Sequence, residues 1–335
     1  MTSTAAIPLA DPALADRLTS RLALVEEALR DAVAHADALA DDASRHLVNA
    51  GGKRLRPLLT LLVAELGDGT RREVVDAAVV VELTHLATLY HDDVMDSAPL
   101  RRGAPSAHEV WGNSVAILTG DLLFARASST VAGLGPEAVR IQARTFERLC
   151  LGQLHETVGP RDGDDPVEHY LQVLADKTAS LLATSARLGA MFAGCTPAVV
   201  HTVTEFGERI GVAFQLADDV IDLTADGALT GKTPGTDLRE RVPTMPVLLL
   251  RARCASPDAT DEDLALLARL DGDLTDDAAL ASAVTALREH AVVGQTRDRA
   301  VALARDAVRV LEPLPAGPVK DALVSFADAL VDRAS

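Results

Sequence analysis

Along VVDAAVVVELTHLATLY, residues 74–90, apolar side chains recur at intervals of three and four and do not alternate as a half-buried strand would. The same spacing returns through most of the 335 residues, Ala and Leu abound, and aromatic residues make up only 3% of the chain. The pattern predicts an all-α protein. Helices are expected over 15–48, 56–66, 71–95, 106–112, 114–132, 136–158, 166–174, 176–194, 197–222, 243–253, 261–270, 276–289, 293–311 and 318–333. Gly51-Gly52 ends the first, Pro136 opens another at the position where its missing N–H costs nothing, and Asp276-Asp277 place acid at an N-terminus. No Pro-, Gly- and Ser-rich linker divides the chain and no repeat of 20 to 50 residues is present, so a single domain over 1–335 is expected, with 1–15 a loosely ordered segment.

Charge narrows the partners. With 32 basic and 49 acidic residues the formal net charge is −17, a field that repels phosphate backbones and excludes nucleic acid. An acidic chain that binds an anionic substrate needs local Lys and Arg clusters, or metal ions, to reverse that field. Cys150, Cys195 and Cys254 have neither zinc-site spacing nor an even count for a disulfide framework, and read as reduced packing residues. The N-terminus lacks a basic stretch followed by an apolar one, and no run reaches the ~18 to 20 consecutive apolar residues of a membrane span. A cytoplasmic protein without an integral membrane segment is the expectation.

Directly after the apolar run comes HDDVMDSAPLRRG, residues 91–103. Asp92, Asp93 and Asp96 fall at i, i+1 and i+4, so Asp92 and Asp96 share one helix face a turn apart. LADDVID, residues 216–222, repeats the arrangement with Asp218, Asp219 and Asp222. One such triplet in an acidic chain reads as a solvated helix end. Two, each closing an apolar helix, put up to six carboxylates at one cavity mouth if the helices face each other, and these need cations. Oxygen-only donors favour a hard ion, Mg²⁺, held by one or two carboxylates with waters and substrate phosphates completing its octahedron. Three Mg²⁺ ions, with Mn²⁺ as a substitute, would offset the six carboxylates. Basic clusters occur close by: GGKRLRP at 51–57 supplies Lys53, Arg54 and Arg56, and Arg101-Arg102 follow the first triplet.

These motifs, together with GDLLFARA, DKTASL, FQLADDVID, GKTPGTDL and ALVSFADALVDR, resemble the trans-type polyprenyl diphosphate synthases, isoprenoid chain-elongating prenyltransferases, over nearly the whole length. The resemblance implies a single-domain isoprenoid synthase fold of antiparallel helices around a deep central cavity, a homodimer, and head-to-tail condensation of isopentenyl diphosphate with an allylic diphosphate. It implies that Asp92, Asp96 and Asp218 hold the Mg²⁺ ions on the allylic diphosphate, with Asp93, Asp219 and Asp222 completing the metal set. It assigns Lys53, Arg56, His85 and Arg102 to isopentenyl diphosphate and Arg101 to the allylic diphosphate. Lys177, Thr178, Gln215 and Lys232 would flank the reacting diphosphate and the developing cation. Read without the family, His85 is a satisfied core histidine and Lys177 a surface lysine lying along apolar neighbours. Transient membrane contact for product release is a further expectation.

The chain departs from the family where Arg241, Val242 and Thr244-Met245-Pro246 replace a Gly-Lys and Thr-Leu-Pro sequence, leaving Arg239 and Arg241 as alternatives for a lysine's role. GALTGKT, residues 227–233, is one residue short of a phosphate-binding loop and lacks its strand-to-helix setting. A class I terpene cyclase would mix Ser, Thr or Asn into its second metal motif, and a non-catalytic partner subunit would lose aspartates or basic residues; this chain does neither. Ala87 and Thr88, one turn before Asp92, are small where short-chain relatives place aromatic residues. With Leu83 and Phe124 as a candidate lower floor, a long all-trans product of about C35–C50 is expected, a geranylgeranyl product being the alternative.

Overall fold

The computed structural model describes residues 9–224 and 234–332. The chain runs through α1 (Pro12–Ala32), α2 (Ala38–Asn49), α3 (Leu55–Ala64), α4 (Arg72–Met95), a strand pair β1 (Leu100–Arg101) and β2 (Ala104–Pro105), α5 (Ala107–Trp111), α6 (Asn113–Ala132), α7 (Pro136–Val158) and α8 (Pro166–Leu174). A π-helical turn at Ala175–Ala179 leads into α9 (Ser180–Phe192) and α10 (Pro197–Thr224). After these come α11 (Thr236–Arg239), α12 (Met245–Cys254), α13 (Asp261–Leu270), α14 (Asp277–Glu289), α15 (Ala291–Val310) and α16 (Pro318–Val331). The protein is all-α, as its periodicity requires.

Two expectations at the N-terminus need correcting. Order begins before residue 15, because the Asp11 side chain accepts from Leu14 N and caps α1 at Pro12. The helix expected over 15–48 is two helices, broken at 34–37 by side chains that compete for the backbone. Asp37 accepts from Ala40 N at 2.9 Å to start α2, and Asp41 accepts from His35 N at 2.8 Å.

The described chain falls into two compact units, whose boundaries lie inside α7, α10, α15 and α16 and between the π turn and α9. The first comprises residues up to Cys150, Ser180–Glu208 and Val308–Phe326. Its centre is α4, packed against α1, α3, α6 and α9, which is what a helix apolar around most of its circumference requires. Small residues set the closest approaches: a Cβ on Gly189 of α9 would stand 2.3 Å from the Thr60 carbonyl oxygen, and one on Gly120 of α6 would stand 2.3 Å from His91 Nε2. The second unit comprises Leu151–Ala179, Arg209–Ala307 and the residues from Ala327. Within it, buried Asp263 starts α13 through a reciprocal cap with Thr260 and accepts from or faces His290 Nε2 at 2.9 Å and Arg253 Nε at 2.8 Å. The Thr260 hydrogen bonds hold this carboxyl well below the usual carboxylate range.

Both α4 and α6 are long and apolar enough to cross a membrane by length and composition. The apolar window of α4 is 72% buried inside its unit, whereas that of α6 is only 33% buried.

Candidate active site

The basic cluster is assembled in the first unit around one buried anion. Gly51 (φ 82°) and Gly52 (φ 142°) carry the chain out of α2, and Arg54 takes a left-handed conformation (φ 49°) before α3 begins. Gly52 suits this turn by its φ, and the Arg102 guanidinium packs against it, 2.7 Å from where a Cβ would stand. Arg54 turns inward. Its Nη1 donates to Glu82 at 2.8 Å, its Nε to Glu26 at 2.6 Å and its Nη2 to the Val48 carbonyl at 3.1 Å. Arg102 also has positive φ and donates to the carbonyls of Leu47 and Gly51. Arg56 is half-buried and Lys53 exposed.

These charges decide the state of His85, one turn after Glu82 on α4. Burial first, then the positive fields of Arg56, Arg102, Arg101 and Arg54, push its pKa well below 6.5. The imidazole is neutral at neutral pH. Burial also lowers Arg56 to about 10, against the pull of Glu82, so it stays charged. Arg56, His85 and Arg102 are therefore brought together as the family likeness implies, while Arg54, an equal member of the cluster by sequence, is consumed in holding the turn.

The two acidic triplets share one geometry. On α4, Asp92 is half-buried and Asp96 exposed, whereas Asp93 lies a third of a turn away among Leu86 and Tyr90 and is 0% exposed. Arg101 Nε donates to Asp93 Oδ1 at 2.6 Å, and Nη2 reaches the same oxygen at 2.5 Å. On α10, Asp218 and Asp222 are half-buried, while Asp219 joins the buried stripe of Leu216, Val220 and Leu223 at 2% exposure. Asp219 Oδ2 accepts from Tyr170 Oη at 2.8 Å and from Met245 N at 3.2 Å. Burial pushes Asp219 up to about 7, opposed by those hydrogen bonds. The expectation that all six carboxylates present themselves as metal ligands is corrected at Asp93 and Asp219, because i+1 falls on the core side of each helix. Arg101, expected on the allylic diphosphate, has two of its nitrogens on Asp93.

In the second unit, Lys177 and Thr178 lie in the π turn, a local widening of the helix that re-aims side chains. Two glycines let neighbours approach this turn. A Cβ on Gly152 of α7 would stand 2.6 Å from Lys177 N, and one on Gly211 of α10 would stand 2.4 Å from Ala179 Cα. Lys177 Nζ pairs with Glu156 of α7, and Thr178 Oγ1 donates to Gln215 Oε1 at 3.2 Å. Gln215, Asp218 and Asp222 follow at i, i+3 and i+7, one stripe of α10. Lys232 lies outside the described residues. Of the two alternatives for the missing lysine, Arg239 Nη2 pairs with Asp277 at 2.5 Å and Arg241 Nη2 donates to the Gly272 carbonyl at 3.4 Å.

Ala87 is fully buried, and its carbonyl oxygen would lie 3.1 Å from a Cβ on Gly120. Thr88 is half-buried, with Oγ1 donating to the His85 carbonyl at 2.8 Å. Phe124 stands at the level of His91, 5.9 Å between ring centroids, and 4.1 Å from Phe146.

Sequence reasoning missed Glu82, Tyr170 and Glu156. A lone acid inside the apolar run VVVELTH was a readable signal for Glu82. Tyr170 is one of only two tyrosines in the chain, but nothing in its neighbourhood in sequence points to Asp219.

Among the described residues, no three His, Cys, Asp or Glu side chains converge as a protein-only metal cage would. Pairs of outward aspartates with oxygen donors alone fit an ion that keeps its waters and shares the phosphates of a substrate, which is the habit of Mg²⁺.

A helical chain with two aspartate-rich helix ends and a buried cluster of arginines around a neutral histidine is built to hold diphosphates. The profile of the family described as polyprenyl synthetase matches residues 37–286, and the chain belongs to that family. It is 44% identical to the nonaprenyl diphosphate synthase of Mycobacterium tuberculosis over 99% of this chain and 98% of the relative. A polyprenyl synthase from Caulobacter crescentus, solved with calcium and isoprenyl diphosphate, superposes with a TM-score of 0.87 at 31% identity, covering 100% of both chains. A geranylgeranyl pyrophosphate synthase from Corynebacterium glutamicum, also solved with calcium and isoprenyl diphosphate, superposes with a TM-score of 0.84 at 41% identity, covering 97% of this chain and 98% of that one.

Proposed function

We propose that the chain is a Mg²⁺-dependent trans-polyprenyl diphosphate synthase that joins isopentenyl diphosphate to an allylic diphosphate, head to tail, and releases diphosphate. The observation that carries the reading is the repeated acidic helix end, with an outward pair one turn apart and the middle aspartate turned inward. Bound Mg²⁺ would supply positive charge to the leaving diphosphate. Asp92, Asp96, Asp218 and Asp222 would hold it.

The chain's own residues supply the rest. Arg56, Arg102, Lys53 and neutral His85 bind and orient isopentenyl diphosphate. Lys177, and Lys232 by the family likeness, would flank the allylic diphosphate, so negative charge would grow beside cations as the allylic carbon–oxygen bond breaks. Thr178 and Gln215, hydrogen-bonded to each other, present dipoles to the allylic cation. The isopentenyl double bond attacks that cation, and loss of a proton, which the released diphosphate can accept, restores the alkene. Water must be kept out, because it would quench the cation to an alcohol.

Small Ala87 and Thr88 and the nonaprenyl relative favour a product in the heptaprenyl to decaprenyl range. The Corynebacterium glutamicum likeness supports a geranylgeranyl product as the second reading. A homodimer is proposed on the strength of α6, apolar yet largely uncovered, with Leu118 65% exposed. The cytoplasm is the proposed setting, since the substrates are water-soluble diphosphates, with membrane contact only as the lipid product leaves.

The test is incubation of the purified chain with Mg²⁺, farnesyl diphosphate and labelled isopentenyl diphosphate, followed by reverse-phase chromatography. Labelled all-trans polyprenyl products that vanish in excess chelator and in Asp92→Ala or Asp218→Ala are expected. Cyclic hydrocarbons, or no elongation, would overturn the reading.

A further inference from the structure

Asp219 is held by groups from two other elements of its unit. Tyr170 comes from α8, and its hydroxyl donates to Oδ2 at 2.8 Å. The Met245 amide, the first of α12, donates to the same oxygen at 3.2 Å. Tyr170 is among the residues lining a cavity of about 410 Å³ whose wall also includes Val173, Val242, Pro243 and Leu248. Tyr170 is itself buried, and its hydroxyl bond ties the side chain to the Asp219 carboxylate. The chain also returns to α10 close by, where Gly235 N donates to the Asp222 carbonyl at 3.0 Å.

We infer that Tyr170 is a positioning residue: with the Met245 amide it anchors Asp219, and through Asp219 sets the rotation of the last turns of α10 that present Asp218 and Asp222. The inference rests on reading that outward pair as a metal site. Helix geometry makes the coupling direct, since Asp218 precedes the anchor by one residue and Asp222 follows it by three. A phenol suits the task. It satisfies a buried carboxylate oxygen without placing a cation beside the metal ligands, as an arginine would. In the first triplet the equivalent anchor is a cation, Arg101 on Asp93, so the two motifs reach one geometry by different chemistry.

The test uses the full chain carrying Asp92→Asn and Asp96→Asn, so that Mn²⁺ added with inorganic diphosphate reports the second triplet. Free Mn²⁺ is followed by its paramagnetic resonance, and circular dichroism with thermal melting follows the fold. In that background Tyr170→Phe, which keeps the ring and removes only the hydroxyl, is expected to weaken Mn²⁺ binding by about ten-fold with helix content unchanged, the loss typical of groups that orient metal ligands. Asp219→Asn, which still offers an oxygen to both donors, is expected to weaken it several-fold less than Asp218→Asn. Unchanged Mn²⁺ binding in Tyr170→Phe overturns the positioning role, and so does an Asp219→Asn loss equal to that of Asp218→Asn, which would make Asp219 a ligand. Should Tyr170→Phe melt before it can be titrated, Asp219→Leu, which removes the acceptor of the same hydroxyl, takes its place, and Mn²⁺ binding as tight as in the parent background then overturns the positioning role. Mn²⁺ binding indifferent to Asp218→Asn would overturn the metal reading itself, and the positioning role with it.

Discussion

Arg54 holds a left-handed backbone conformation and a guanidinium buried between Glu82 and Glu26, a placement that stores strain in one turn and repays it with charge-assisted hydrogen bonds. Removing it leaves Glu82 buried without its cation, which typically costs about 3–5 kcal/mol. Arg54→Met should therefore lower the urea midpoint markedly, and adding Glu82→Gln should recover much of the loss, a non-additivity readable in a double-mutant cycle. Equal losses that simply sum would show that the pair is not coupled. His85 gives a second prediction at this scale, from the direction of its shift. Its folded pKa lies below the unfolded value of 6.5, so between the two the unfolded chain binds a proton that the folded chain refuses. Stability contributed by neutral His85 is complete above about pH 6.5 and is lost as pH falls below it. Melting temperature should drop less between about pH 7.5 and about pH 5.5 in His85→Gln than in the parent chain. An identical drop would mean that His85 titrates normally.

At the scale of elements, short side chains decide how close two backbones come. Gly152 places α7 against the π turn of Lys177 and Thr178 so tightly that a single methyl group cannot be added without moving the Lys177 backbone. Gly152→Ala should cost about 1–3 kcal/mol in stability and, by displacing the turn, reduce kcat while leaving the KM for isopentenyl diphosphate within about two-fold. A variant with wild-type kcat would show that the turn yields freely. The long helices were readable, because their period is unmistakable, whereas the two-residue strands at 100–105 and the four-residue helix at Thr236–Arg239 are too short to carry a period. The break at 34–37 was not, since His35, Asp37 and Asp41 act on one another's backbone only once the chain bends. The π turn was half legible: the expected helices 166–174 and 176–194 part at the residue where it begins, but apolar spacing does not tell a π turn from a simple break.

For the whole molecule the open quantity is product length. Ala87 is buried beside Gly120, so a ring at this position must enter the space where α4 and α6 meet. Ala87→Tyr is expected to shorten the main product, seen by reverse-phase chromatography, with the allylic KM within about two-fold and helix content preserved. The same long product from this variant would remove Ala87 from the chain's path.

The sequence by itself determined the helical class, the positions of both acidic triplets and the basic turns, because helical period and motif spacing are properties of the chain alone. It could not say which aspartate of a triplet faces inward. That depends on which side of α4 or α10 is covered, and so on Arg101, Tyr170 and the Met245 amide, the last two brought to Asp219 from 49 and 26 residues away. Nor could it separate Arg54 from Arg56, two residues apart and alike in chemistry. Only the buried carboxylates of Glu82 and Glu26 draw the first inward, and only tertiary packing supplies the low-dielectric setting in which that pairing and the neutrality of His85 are decided.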